Sequence, residues 1–351
     1  MDYTHLFNTQ DEKNTVYNSD EYKKPWVSYV KDSNKVEYSK KPVKLIFTAT
    51  QDTTVPVYYT KQSYIDGTPD LTISLTANTL KTTTIPRNEI YRFGIVDYNT
   101  NTLERTNVND VFTAIEVDGC VIDGYRLFDN CTTLTSCTVS NLDTSKMTDT
   151  RHMFENCYTL TKLDTSFFDT SNITNMNSMF YGCSSLTDLD VSFWDTSKVT
   201  DMGSLFRSCG NLSKLDVHAW NTKNVTDMSY LFYACSSLER LNVSLWNTTK
   251  VTNMAYMFRK CSKITNLDVF GFYTNIVTNM SNMFCACSLL TKLDTTYFNI
   301  SNVTDTSEMF AACTSLTTIG DVDTSLGWKH EPGTHTDMFK NCSATPKPSW
   351  A

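Results

Sequence analysis

Apolar residues in the C-terminal two-thirds of this chain recur in a fixed phase. Phe-x-x-Cys pairs begin at Phe128 and return every 26 residues at Phe154, Phe180, Phe206, Phe232, Phe258, Phe284 and Phe310, then once more after 29 at Phe339. Each phenylalanine has a cysteine three residues on, from Cys131 to Cys342. The unit that opens at Cys183 reads CSSLTDLDVSFWDTSKVTDMGSLF. Its Leu186, Leu189 and Val191 have L-x-x-L-x-L spacing, which predicts a strand with the intervening residues turned outward. The same places hold Leu160, Leu163 and Thr165; Leu212, Leu215 and Val217; Leu238, Leu241 and Val243; Leu290, Leu293 and Thr295. An aromatic column follows (Phe168, Trp194, Trp220, Trp246, Phe272, Phe298), then an Asp-Thr-Ser turn at 169–171 and 195–197. Met202, Leu205, Phe206 and Cys209 lie at i, i+3, i+4 and i+7, which predicts a short helix capped by Thr200 or Asp201. The methionines keep phase with the strand leucines and read as core.

A fixed period in this range predicts a solenoid, whose units bury their apolar sides only against one another. The fold class expected is therefore α+β: a leucine-rich-repeat solenoid with a strand and a short helix in each coil, preceded by a small antiparallel β-domain and an extended N-terminal arm. Residues 1–41 are polar and tyrosine-rich with no amphipathic period, and predict the anchoring arm. Trp26 and Tyr29, in KKPWVSYV, are its candidate anchors. Residues 42–112 hold β-branched and aromatic runs at 43–50, 55–60, 71–76 and 90–98, broken by turn residues, which predicts a β-sandwich-like domain. TAIEVDG at 113–119 reads as an entry strand that pairs with the first repeat. The solenoid is expected over 113–342. Its last unit is degenerate, with an insertion around Trp328, as a cap requires. Residues 343–351 are expected to form an extended tail.

The formal charge is −8 over 351 residues, which argues against a nucleic-acid partner, since that needs clustered Lys and Arg. No run approaches a membrane span, and the first residues lack the pattern of a secretory signal, so no membrane insertion is expected. Nine of the 12 cysteines fill one repeat position. They read as small buried hydrophobes rather than disulfides. No Cys-x-x-Cys pair, His-Glu-x-x-His pattern, phosphate loop or nucleophile elbow occurs, so no enzyme, cofactor or metal is expected.

The repeat resembles the BspA-like leucine-rich-repeat surface proteins, whose unit reads much like LTxLDxSxWDTSxVTDMSxMFxxC. That resemblance implies adhesion and no catalytic residues. The leader PWVSYV…KVEY at 25–38, followed by a β-domain, is similar to N-terminal parts of virion proteins from gut Bacteroidales phages, including crAss-like phages. The expected function is a non-enzymatic virion appendage, a head fibre or a tail or decoration protein. Other virion proteins would hold the arm, and the solenoid would meet a host-surface glycan or protein. The expected location is the virion, assembled in the host cytoplasm, and the chain is expected to be a homo-oligomer, because weak sites gain from multivalency. A bacterial cell-surface adhesin and a purely structural spacer remain alternatives.

Candidate binding residues are those expected to face outward from the strands. Asp190, Lys214, Asp216, His218, Arg240, Asn242, Asp268 and Phe270 stand in three adjacent columns. Asp and Asn would accept hydroxyl hydrogen bonds, while His218 or Phe270 would add an apolar contact. Two other readings of this face are a self-neutralising ion-pair lattice between the basic and acidic columns and cation binding by the aspartates, which the neighbouring lysines oppose.

Overall fold

Two residues in every coil take a left-handed backbone conformation, and this decides how the coils join. The structure, a computed structural model, describes residues 43–49, 53–57, 71–75, 81–85, 112–120, 124–138, 142–165, 168–320, 328, 331–345 and 347–350. All lie in the unit Ser39–Ala351. Before the repeats come β1 (Val43–Ala49), β2 (Thr53–Val57), β3 (Leu71–Leu75) and β4 (Lys81–Ile85). β1 pairs antiparallel with β4, and β2 pairs antiparallel with β3 in a separate sheet. β4 falls on KTTTI, a threonine-rich run outside the expected strands. The expected strand at 90–98 lies outside the described residues.

β5 (Phe112–Cys120) links the two parts of this unit. It runs antiparallel to β1 on one side. On the other it is parallel to β6 (Ser136–Thr138) and β7 (Leu142–Asp143) of the first coil. β6 continues, again parallel, to β8 (Lys162–Asp164) of the second coil. The β-domain and the repeats thus share one sheet, ordered β4-β1-β5-β6-β8. Beyond β8 the strand ladder thins to isolated parallel bridges, Asp188 to Lys214 and Asn266 to Lys292 to Thr318. A second ladder of bridges runs through Asp149, Asn175, Asp201, Asp227, Asn253, Asn279, Asp305 and Thr334.

The helix expected over Met202–Cys209 is absent, as are its equivalents among the described residues, and overlapping turns replace it. The residues two before and two after each phenylalanine have positive φ. They include Ser204 and Ser208 (58° and 62°), Tyr230 and Ala234 (57° and 59°), and Gly182 (81°). Beyond its first turn an α-helix would spend each N–H on a carbonyl four residues back in the same coil. The left-handed pair instead aims alternate N–H groups along the stack. Met202, Ser204, Phe206 and Ser208 donate to the carbonyls of Asp227, Ser229, Leu231 and Tyr233 in the next coil at 2.7–3.1 Å. Between them, Leu205, Arg207 and Cys209 close three-residue turns onto Met202, Ser204 and Phe206. Thr200, expected as a helix cap, donates its N–H and hydroxyl to Thr174 in the preceding coil. Asp201 accepts the N–H of Gly203 at 2.8 Å, an Asx turn.

The interior is the sum of these coils. The Phe-x-x-Cys phenylalanines from Phe128 to Phe339 stack with ring centroids 5.0–5.8 Å apart. From Phe128 to Phe310 they are fully buried, each removing about 1.5–3 kcal/mol of apolar surface from water. Trp194, Trp220 and Trp246 form a second stack at 6.1–6.2 Å. The thiols of Cys157, Cys183, Cys209, Cys235, Cys261, Cys287 and Cys313 each donate to the phenylalanine carbonyl of the preceding coil at 3.0–3.2 Å. That explains cysteine at this position: it is small, apolar and carries one weak donor. Burial pushes Cys209 and Cys261 up to about 12, and the thiols of Cys157, Cys183, Cys209, Cys235, Cys261, Cys287 and Cys313 form no disulfide.

Buried threonines fasten the opposite side of the coil. Thr222 Oγ1 donates to Asn247 O at 3.0 Å and accepts from Asn247 N at 2.8 Å. Thr248 does the same with Tyr273, and Thr274 with Asn299. The last coil is closed by its tail. Trp328, 1 % exposed, continues the aromatic column past the insertion and donates Nε1 to Thr295 O at 3.0 Å. Trp350 stacks on it at 6.4 Å and bonds its carbonyl. Trp350 thus seats the end of the tail on the core.

Candidate functional site

The columns expected to bind lie outward but serve their own backbone first. Asp190, Lys214, Asp216 and Arg240 are exposed; His218, Asn242, Asp268 and Phe270 are half-buried. Asp190 accepts from Ser192 N and Oγ at 3.2 and 2.6 Å. Asp216 accepts from His218 N, Asn242 from Ser244 N and Asp268 from Phe270 N, each at 3.1 Å. These are Asx turns, the means by which a short acidic or amide side chain fixes a bend two residues on. Among the described residues, no ion pair of the expected lattice involves the candidate residues of these columns. Phe270 meets Tyr297 edge to face at 4.5 Å, and the Nδ1 of His218 is buried without a partner. Among the described residues no group of three His, Cys, Asp or Glu is placed to hold a metal ion. Trp26 and Tyr29 lie outside the described residues.

A second outward face, which sequence reasoning missed, lies on the turns that replace the helix. In the coils from Phe180 to Phe258, Tyr181, Arg207, Tyr230, Tyr233, Tyr256 and Arg259, two before or one after a phenylalanine, reach the surface there. Arg207 lies over the rings of Tyr181, Tyr230 and Tyr233, with its guanidinium carbon 4.9, 4.5 and 5.2 Å from their centroids. Tyr230 stacks on Tyr256 at 4.4 Å. Arg259 lies over Tyr256 at 5.5 Å and Lys260 over Tyr233 at 5.9 Å. Arg259 also bonds Asn282 and pairs with Glu308 at 3.4 Å. All four tyrosines and both arginines are half-buried. Burial raises the Tyr230 hydroxyl above its ordinary value, with Tyr256 adding to the rise.

The signal for this face was available in the repeats. Positions that face the core are fixed: phenylalanine and cysteine nine times, and threonine at 144, 170, 196, 222, 248 and 274. The position after each phenylalanine instead reads Asp129, Glu155, Tyr181, Arg207, Tyr233, Arg259, Cys285, Ala311 and Lys340. Packing does not dictate these residues, so they are free to differ.

Coils related by 26 residues and joined backbone to backbone define the class, a repeat protein. Residues 122–240 and 207–322 match the family described as Mycoplasma protein of unknown function, DUF285. These overlapping matches cover more than half of the chain, which belongs to this family, that of the BspA-like repeat. No curated protein and no solved structure matches the chain. Among the described residues, no helix is long and apolar enough to cross a membrane.

Proposed function

We propose that this chain is a leucine-rich-repeat-type solenoid, with turns in the helix's place, that serves as a non-enzymatic surface appendage of a bacteriophage particle. Its N-terminal part contacts other virion proteins, and its coils meet a host-surface glycan or protein. The observation that carries the attachment role is the contrast between columns. Inward positions are near-identical from coil to coil, while the turn face changes at every coil and concentrates tyrosine and arginine in the middle ones. Those two residue types are enriched where proteins recognise partners. The buried polar groups support a passive interior, since the core cysteines and threonines spend their donors on neighbouring coils.

The family's repeat supports a bacterial cell-surface adhesin as a second reading. Mass spectrometry of density-gradient fractions from a lysed source culture separates the two. The virion reading expects peptides of this chain to co-sediment with major capsid peptides. Peptides confined to the cell-envelope fraction would contradict it.

A further inference from the structure

Arginines on the turn face are mostly provided for. Arg126 pairs with Asp129 at 3.4 Å, Arg151 with Asp149 at 2.6 Å and Arg259 with Glu308 at 3.4 Å. Arg207 stands apart: among the described residues no carboxylate pairs with it and no group accepts a hydrogen bond from its guanidinium. Its Nε is buried without a partner, while its terminal nitrogens are not buried. Three tyrosine rings surround the guanidinium carbon within 5.2 Å. A guanidinium carries a planar fork, the geometry that grips a carboxylate through two parallel hydrogen bonds, and this one has no carboxylate of its own.

Charge and aromatic content narrow the ligand. A polyphosphate or heavily sulfated chain draws its affinity from many clustered cations. This face offers one unpaired guanidinium among its tyrosines, with Lys260 two coils on, over Tyr233, and Arg259 already paired. Half-buried tyrosine rings present a negative face to polarised C–H groups and a hydroxyl at the rim. A single anionic group carried on a ring with C–H faces and hydroxyls matches both features. We infer that Arg207, with Tyr181, Tyr230 and Tyr233, forms a binding site for a carboxylate-bearing sugar of an acidic glycan. This inference rests on the reading of the chain as an attachment protein and names its ligand class and its site.

The test is isothermal titration of the full chain with three carboxylated oligosaccharides, oligogalacturonate, oligosialate and hyaluronate, beside methyl-esterified oligogalacturonate and dextran sulfate. At least one carboxylated probe should bind. If that probe is oligogalacturonate, esterification should remove the binding. Arg207→Ala should weaken it at least tenfold. Arg207→Lys, which keeps the charge and loses the fork, should recover little of it, and Lys223→Ala, at an exposed position outside every candidate site, should bind as wild type. Near-UV circular dichroism of each variant checks that the stack is intact. Tyr233→Phe, which keeps the ring, provides a second probe of the site. Binding of none of the three acids, binding indifferent to Arg207→Ala in an intact stack, or dextran sulfate binding as tightly as the carboxylates would each overturn the assignment. Arg207-independent binding to a neutral host glycan would overturn it too, yet leave the attachment role standing.

Discussion

Ala311 and Ala312 are neighbours in the chain, and glycine should affect them in opposite directions. Ala312 has φ of 58° and donates its N–H to Lys340 O in the last coil at 2.7 Å. Ala311 is 5 % exposed, is absent from the positive-φ positions and closes a turn onto Glu308 at 3.0 Å. A left-handed residue with a Cβ costs about 1–2 kcal/mol, which Ala312→Gly relieves. Glycine's extra freedom in the unfolded chain takes back about 0.5–1 kcal/mol. The net expectation for Ala312→Gly is roughly 0.5–1 kcal/mol of added stability. Ala311→Gly gains no such relief and loses a buried methyl, so it should cost about 1 kcal/mol or more. In an α-helix both changes would cost about 1 kcal/mol. Urea denaturation at 25 °C, comparing midpoints of the same transition in both variants, reads the signs. Equal destabilisation by the two would refute the left-handed turn as the building block of the coil.

Other consequences follow from the shared interior. Burial holds the thiols of Cys157, Cys183, Cys209, Cys235, Cys261 and Cys287 protonated well above their ordinary 9.0. Unfolded thiols lose protons near that value, so their contribution is complete below pH 9 and falls as pH rises, by about 1.4 kcal/mol per thiol at pH 10. Cys209→Ala should therefore lose about 1.4 kcal/mol less than wild type between pH 8 and pH 10 in parallel urea titrations; an unchanged pH dependence would contradict the buried thiol. Thr222→Val keeps the shape and strands both backbone groups of Asn247, so calorimetry should show a loss of about 1–3 kcal/mol. Exposed Thr226→Val should cost under about 0.5 kcal/mol. Trp220→Phe removes an indole bond to Val191 O at 3.0 Å, whereas the Nε1 of Trp194 is buried without a partner. Trp194→Phe should thus be milder by about 1 kcal/mol, and equal losses would argue against that bond.

The interior was legible because burial repeats residue identity as well as polarity. The phenylalanine, cysteine and tryptophan columns were visible in the sequence, and all enter one core. The helix was misread because i, i+3, i+4, i+7 describes any chain of three-residue turns with one face inward, not only an α-helix. A finer signal was present: Asn130, Asn156, Gly182, Asn282 and Asn341 all fall on left-handed positions, and Asn and Gly tolerate that conformation best. The strand columns drew attention because the period-2 rule exposes them, but their carboxylates are spent on Asx turns. The tyrosine–arginine face was hidden by the helix assignment, which left the residues between core positions as mere solvated surface. The seating of Trp350 on Trp328 had no local signal, because only the folded stack brings these two rings together.

The central claim is that each coil holds its backbone through the next one, and amide hydrogen exchange reads this directly. Glu308, Phe310 and Ala312 donate to Thr336, Met338 and Lys340 of the last coil at 2.7–3.0 Å. Among the described residues no carbonyl accepts the equivalent amides of that coil, at Asp337, Phe339 and Asn341. Exchange should be slow at the first three and fast at the second three, while Lys340 and Cys342, bonded within their own turn, fall between. Uniform protection through Phe339–Cys342, as amides beyond the first turn of a helix would show, would contradict the account.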